Sequence, residues 1–146
     1  MNATWMALVL LTGAGLVVQV GMNAALRSHF YSATLALLAN FAIGTVALLA
    51  FTLLGRESWP GRASLAGVPA WAWGGGLLGV AYVAVATIAG PRLGAMLLLA
   101  LSVTGQIAAS LLIDHYGWLG FPRDPVSATK IAGAVLLLAG VLLVAR

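Results

Sequence analysis

The sequence predicts an all-α fold, a polytopic membrane protein of five transmembrane helices, and three observations support that prediction. Of the 146 residues, 62% are hydrophobic and only 7% are charged, whereas a soluble domain is typically about one-quarter charged. The mean hydropathy is +1.07. Apolar stretches of roughly 20 residues, the length that crosses a bilayer, recur along the chain. A soluble globular domain is therefore excluded.

Five such stretches nearly fill the chain and define a single transmembrane domain over residues 1–146. The predicted spans are residues 3–26, 34–54, 71–89, 93–113 and 128–145. We interpret the first as a retained span rather than a cleaved signal peptide. No Lys or Arg precedes it, and its apolar run is longer than the roughly 7–15 residues of a signal-peptide core.

The segments between the spans contain the turn-forming and charged residues. Residues 27–32 form a short link, and longer loops follow at residues 55–70 and 114–127. Gly90-Pro91-Arg92 predicts a tight turn, because proline lacks a backbone donor and restrains the residue before it. Spans three and four should therefore form an antiparallel hairpin. Aromatic residues collect near the span ends, as in an interfacial belt.

Lys and Arg in the loops predict the orientation only weakly. Short cytoplasmic loops carry the excess of these residues. Here four lie on the amino-terminal side, Arg56, Arg62, Arg123 and Lys130, and three on the other side, Arg27, Arg92 and Arg146. So small a difference permits insertion in both orientations. The alternative is a single topology with the amino terminus inside.

Polar residues inside the spans need a partner or a wet cavity, because hydrocarbon offers them no water. The candidates for a substrate pathway are amides, one phenol and one hydroxyl: Gln19, Asn23, Asn40, Gln106, Tyr82 and Ser102. Each amide has two donors and a two-lone-pair acceptor, which a single contact between helices cannot satisfy. A hydrated or ligand-filled cavity is therefore one interpretation, and helix association alone is the other.

Small residues at intervals of four predict close approach between helices. The glycines expected in such packing are Gly15, Gly44, Gly75, Gly79 and Gly105. In the third span they also form a smooth groove beside Tyr82, whose ring either packs there or lines a cavity.

Two ionisable residues at span ends have a possible charge role. Arg27 either reaches the headgroups or attracts an anionic substrate. Asp114 adjoins the end of the fourth span. We favour a structural role for it, such as pairing with a nearby cation, over proton coupling, because the end of a span is usually in contact with water.

The sequence lacks the residues that catalysis or metal binding would need. It has no cysteine, and its two histidines, His29 and His115, fall on opposite sides of the predicted membrane. It contains neither a metalloprotease motif nor a serine-hydrolase motif, and no acidic pair lies inside a span. Scattered basic residues do not form a nucleic-acid surface. We therefore expect no enzyme activity, metal, cofactor or nucleic-acid partner.

Several segments are similar to those of a known family. They are residues 21–27 (GMNAALR), Asn40-Phe41 with Gly44-Thr45, residues 73–76 (WGGG) with Gly79 and Tyr82-Val83, residues 91–94 (PRLG), Gly105-Gln106 and residues 110–117 (SLLIDHYG). In this order they resemble the YdcZ-like proteins, a short five-helix branch of the drug/metabolite transporter superfamily. The resemblance implies an antiparallel, dual-topology homodimer in the bacterial inner membrane, and it supplies no substrate. The related small multidrug resistance proteins carry a glutamate in helix one, where this chain has no acidic residue.

These inferences lead to the prediction of a transporter that moves a small solute by alternating access. Many secondary transporters consist of two inverted halves with the substrate site at their interface. Five helices would supply one half, and an antiparallel copy would supply the other. The expected partners are a second copy of the chain, membrane lipid and a small solute of unknown identity. A dual-topology channel and a non-transporting scaffold subunit are the alternatives.

Overall fold

The computed structural model describes residues 3–145, and every regular element in that range is helical. The α-helices are α1 (Ala3–Phe30), α2 (Ala33–Leu54), α3 (Arg62–Ala66), α4 (Gly75–Leu93), α5 (Ala95–Tyr116) and α6 (Ala128–Val144). Short 3-10 helices, Ala70–Gly74 and Trp118–Gly120, precede α4 and follow α5. The all-α prediction is confirmed for these residues. Arg146, one of the cations in the orientation argument, lies outside them.

The chain divides into two compact units, Met1–Pro91 and Arg92–Arg146. In the first unit α1 and α2 pack against each other, and in the second α5 and α6 do so. Large apolar side chains cover the outer surfaces of the long helices; Leu10 is 74% exposed and Ile43 69%. Such exposure suits a helix surrounded by hydrocarbon.

Four helical segments are long and apolar enough to cross a membrane: Ala3–Phe30, Ala33–Leu54, Ala70–Leu93 and Ala95–Tyr116. The fifth predicted span corresponds to α6, whose 17 residues rise about 25 Å at 1.5 Å per residue. The hydrocarbon core of a bilayer is about 30 Å thick. The structure therefore shows four candidate spans and a shorter apolar helix where the sequence predicts five spans.

The junction between α1 and α2 is tighter than predicted. Residues 27–30 contain neither glycine nor proline, and α1 continues through them to Phe30. The helix ends at Tyr31, whose φ of 52° is left-handed. The hydroxyl of Ser32 then caps α2 by accepting a hydrogen bond from the Leu35 N–H at 3.2 Å. Only Tyr31 and Ser32 connect the two helices.

The predicted tight turn at Gly90-Pro91-Arg92 is wrong, because α4 continues through Pro91 to Leu93. Proline removes its own N–H, and with it the bond to the carbonyl four residues earlier. The last turn of a helix tolerates that loss, since its remaining bonds come from other residues. The helix is interrupted instead at Gly94, whose φ of 81° and ψ of 154° lie in a region that is essentially restricted to glycine.

A glycine also ends α5. Gly117 is left-handed, with φ 68°, and its N–H donates to the Ile113 carbonyl. A Cβ at this position would lie 3.2 Å from the Cβ of Arg123. The left-handed backbone and the close approach of the following loop therefore both favour glycine here.

Side chains and backbone groups hold the loop between α5 and α6. The Val126 N–H donates to Nδ1 of His115 at 3.2 Å, and Nε of Arg123 donates to the His115 carbonyl at 3.3 Å. At the start of α6, Nζ of Lys130 lies 2.7 Å from Oδ1 of Asp124. The loop is thus anchored to α5 through His115 and to α6 through Lys130.

Replacing His115 by phenylalanine removes the acceptor of the Val126 N–H and keeps an aromatic ring in place. We expect a loss of about 1 kcal/mol in the free energy of unfolding and faster amide exchange at Val126, measured by hydrogen–deuterium exchange. Tyr116→Phe is the matched control, because Tyr116 stacks on Trp118 through its ring, with centroids 4.8 Å apart. Unchanged exchange at Val126 in His115→Phe would contradict the anchoring role.

Candidate functional site

Two polar side chains are fully buried within residues 3–145, Asn23 on α1 at 1% exposure and Thr87 on α4 at 0%. Both belong to the first unit. No described residue offers a hydrogen-bond partner to Nδ2 or Oδ1 of Asn23 or to Oγ1 of Thr87. An unpartnered buried polar group costs about 1–3 kcal/mol. These residues are therefore candidates for groups whose partner comes from outside the chain.

Thr87 differs from other hydroxyl residues of the long helices. A helical Ser or Thr usually donates to a carbonyl three or four residues earlier, and this bond is made by Thr12, Thr45, Thr52, Ser102 and Thr104. Thr87 does not make it. Its own carbonyl also lacks the usual helical donor, because the residue four positions later is Pro91. Thr87 thus combines an unpartnered hydroxyl with a carbonyl released from the helix.

A groove lies between α1 and α4 near their carboxyl-terminal ends. Its volume is about 490 Å³, and it is lined by Ala24, Arg27, Ser28, Tyr31 and Pro91. Arg27 follows Asn23 by one helical turn, and Pro91 follows Thr87 by one turn. Residues four apart share a helix face. Asn23 and Thr87 therefore lie one helical turn from the groove, toward the middle of α1 and α4.

α2 places Asn40 at the same depth. Asn23 lies eight residues before Tyr31, and Asn40 lies eight residues after Ser32. In the hairpin, both are therefore about 12 Å from the turn. Between Asn40 and the turn, Ala36 is completely buried, whereas Asn40 is half-buried. Asn23, Asn40 and Thr87 are the polar residues at this depth of the first unit, and we call them the polar level.

Gln19 and Tyr82 are the remaining predicted pathway residues of the first unit. Gln19 is half-buried one turn before Asn23, so it continues the polar face of α1. Tyr82 is 38% exposed. It precedes Thr87 by five positions, which places it about 140° away around α4. Tyr82 therefore lies on a different face of α4 from Thr87.

Ser102 and Gln106 lie on α5 in the second unit. The Ser102 hydroxyl donates to the Leu98 carbonyl at 2.8 Å, so its donor is already used. Gln106 is exposed. Their part in a substrate pathway remains a prediction.

The glycines predicted to pack helices are open within the described chain. A Cβ would meet no atom within 4 Å at Gly15, Gly44, Gly75, Gly79 or Gly105. Within each unit, no neighbouring atom therefore approaches these glycines closely.

The two charged candidates have different surroundings. Arg27 is half-buried in the groove and forms no ion pair or side-chain hydrogen bond within the described residues. Asp114 contributes its backbone carbonyl, which accepts the Asp124 N–H at 2.8 Å. The cation of this loop, Lys130, pairs with Asp124 and not with Asp114. Residues 3–145 contain no cluster of three or more His, Asp or Glu that could hold a metal.

Sequence reasoning missed Thr87. A lone threonine in a helix is usually satisfied by its own backbone, and the turn predicted at Pro91 obscured the relation between the two residues. The spacing of four between Thr87 and Pro91 is the pattern that could have identified it, because proline releases the carbonyl of the residue four positions earlier.

Comparison with known proteins identifies the family of the chain. The chain matches the DMT_YdcZ family, described as "Putative inner membrane exporter, YdcZ", over residues 4–143. No curated protein and no solved structure gives a significant match. The family resemblance predicted from the sequence is confirmed, since the match covers nearly the whole chain. The chain therefore belongs to the DMT_YdcZ family.

Proposed function

We propose that the chain forms one half of a small-solute exporter, whose pathway includes the polar level between α1, α2 and α4. The observation that carries the proposal is the pair of buried, unpartnered residues Asn23 and Thr87. Polar groups inside a membrane are costly, and they typically mark a substrate or ion pathway. The exporter description of the family supports membrane transport in general.

The chemistry of this level favours recognition through neutral hydrogen bonds. An asparagine amide supplies two donors and an acceptor, and Thr87 supplies a hydroxyl together with its released carbonyl. The acids of the chain are Glu57, Asp114 and Asp124, and Glu57, the single acid of the first unit, follows the far end of α2. Transport is therefore either uncoupled or linked to an ion that neutral oxygens coordinate, and Asp114 has a structural role.

The second half of the transporter is an antiparallel copy of the same chain, and access alternates as one copy rocks against the other. α6 is the fifth span in this proposal, because its 17 residues reach the lower end of the roughly 17–25 that cross a bilayer. An odd number of spans and a balanced distribution of Lys and Arg allow both orientations. The open glycines, such as Gly44 and Gly79, permit close approach of the second copy.

The hydroxyl of Thr87 can be removed almost without changing the shape of the side chain. We expect Thr87→Val to keep or slightly raise the Tm, because a buried unpartnered hydroxyl no longer costs free energy. Solute flux should fall at least about tenfold, corresponding to about 1.4 kcal/mol, in proteoliposomes tested with a panel of radiolabelled metabolites.

Thr45→Val is the matched control, because the Thr45 hydroxyl already donates to the Phe41 carbonyl at 2.8 Å. It should leave flux unchanged. A clear fall in Tm for Thr87→Val with normal flux would identify its hydroxyl as a structural group and contradict the pathway. Saturable, trans-stimulated uptake would support a carrier, whereas flux without either property would indicate a channel.

The amide of Asn40 provides a second test of the pathway. Asn40→Leu should reduce solute binding, because it removes hydrogen-bonding groups at the polar level, and it should leave assembly intact by size-exclusion chromatography. Gln106→Leu applies the same test to α5. Loss of the dimer in both variants, with normal binding by any assembled fraction, would instead favour a scaffold in which amides only associate helices.

Labelling of engineered cysteines tests the orientation, since the chain has no native cysteine. We expect Ser58→Cys and Tyr31→Cys, on opposite sides of α2, each to react with a membrane-impermeant maleimide in about half of the molecules, because the charge bias is weak. Two or three lysines added to residues 56–62 should fix one orientation and abolish flux, and co-expression with an oppositely biased variant should restore it. Labelling of only one cysteine would contradict dual insertion.

A further inference from the structure

We propose that the groove at the carboxyl-terminal ends of α1 and α4 is an oxyanion site, in which Arg27 binds a phosphate or carboxylate group. The site is one turn outward of Asn23 and Thr87, and its argument does not depend on transport. It rests on the surroundings of one guanidinium.

Arg27 differs from every other cation in residues 3–145. Lys130 pairs with Asp124, and Arg123 donates to the His115 carbonyl. The remaining arginines, Arg56, Arg62 and Arg92, are exposed, whereas Arg27 is half-buried without an ion-pair or hydrogen-bond partner among the described residues. A partly desolvated charge without a partner is unfavourable. The guanidinium of Arg27 is therefore available to bind an anion from outside these residues.

No carboxylate of the first unit can reach the groove. Its single acid is Glu57, which follows the far end of α2. The 22 residues of α2 separate the two by about 33 Å at 1.5 Å per residue. Because the first unit supplies no carboxylate here, the partner that we propose for Arg27 is a ligand or a lipid.

The groove offers suitable donors and enough room for a small anion. Its volume is about 490 Å³, and the guanidinium can bind two oxygens of a phosphate or carboxylate at once. The Tyr31 side chain beside it is 94% exposed, and its hydroxyl can supply a further donor. Ser28 adds less, because its hydroxyl already donates to the Ala25 carbonyl at 2.7 Å.

The helix dipoles make the site dependent on Arg27. Both helices present their carboxyl-terminal ends here, and such ends carry partial negative charge. They disfavour an anion, so the guanidinium must supply the attraction.

Because α1 and α4 end at the membrane surface in the proposed topology, the oxyanion can be the phosphate of a lipid headgroup or a soluble anion.

The test uses the full chain purified in a neutral detergent, with Arg27→Gln, Arg27→Lys and the control Arg62→Gln, which removes an equal charge from an exposed position. In the first arm, inorganic phosphate is titrated against sodium chloride of equal ionic strength, and the shift in Tm is measured. In the second arm, phosphatidylglycerol and phosphatidylcholine are offered in equal amounts, and retained lipids are counted by native mass spectrometry.

We expect binding of at least one probe to weaken about tenfold in Arg27→Gln and to be unchanged in Arg62→Gln. Loss in the phosphate arm identifies a soluble anion, and loss of phosphatidylglycerol alone identifies a lipid headgroup; either supports the site. Equal binding of both probes by wild type and Arg27→Gln overturns it.

Arg27→Lys keeps the proposal testable if Arg27→Gln does not fold. It retains the charge and loses the planar pair of donors, so we expect several-fold weaker binding than wild type. Tyr31→Phe should give a smaller reduction in the same assay. Wild-type affinity in Arg27→Lys would show that the charge alone binds the oxyanion. Absence of phosphate and phosphatidylglycerol binding in both wild type and Arg27→Lys would overturn the oxyanion site.

Discussion

Hydrocarbon neither donates nor accepts hydrogen bonds, and most features of this protein follow from that constraint. Long α-helices satisfy nearly all backbone groups internally, and hydroxyls such as those of Thr45 and Thr52 turn back to carbonyls of their own helix. Asn23 and Thr87 are the buried exceptions in residues 3–145. A polar group that the fold buries without a partner is most simply explained by a partner that arrives during function.

The two units satisfy the constraint in different ways. In the second unit, the polar residues that follow α5 bind one another: His115 accepts from Val126, and Lys130 pairs with Asp124. In the first unit, the asparagine amide, the Thr87 hydroxyl and the guanidinium of Arg27 have no such partners. The polar residues of the loop after α5 are therefore satisfied by one another, whereas Asn23, Thr87 and Arg27 have no partner among the described residues.

Charge and neutral polarity have separate roles in the first unit. The neutral groups lie one turn inward, where an unpaired charge would be expensive, and Arg27 lies at the helix ends, where water and headgroups are near. An oxyanion site at the mouth and a neutral hydrogen-bonding site inside can therefore coexist on one pathway. The two proposed sites are also independent, because a lipid phosphate could bind at Arg27 whatever solute the inner site binds.

The sequence by itself determined the helical class, the positions of the apolar segments and the family. Hydropathy and motif order are properties of short segments, so they survive without knowledge of neighbours. Only the tertiary structure showed that α4 continues through Pro91 and that Thr87 is buried and unpartnered. It also showed that Lys130 forms its ion pair with Asp124 and not with Asp114. The burial of Thr87 depends on packing between helices, and the partner of Lys130 depends on the path of the loop before α6, so neither follows from the spacing of residues along one segment. Composition and residue spacing alone do not show which groups come into contact.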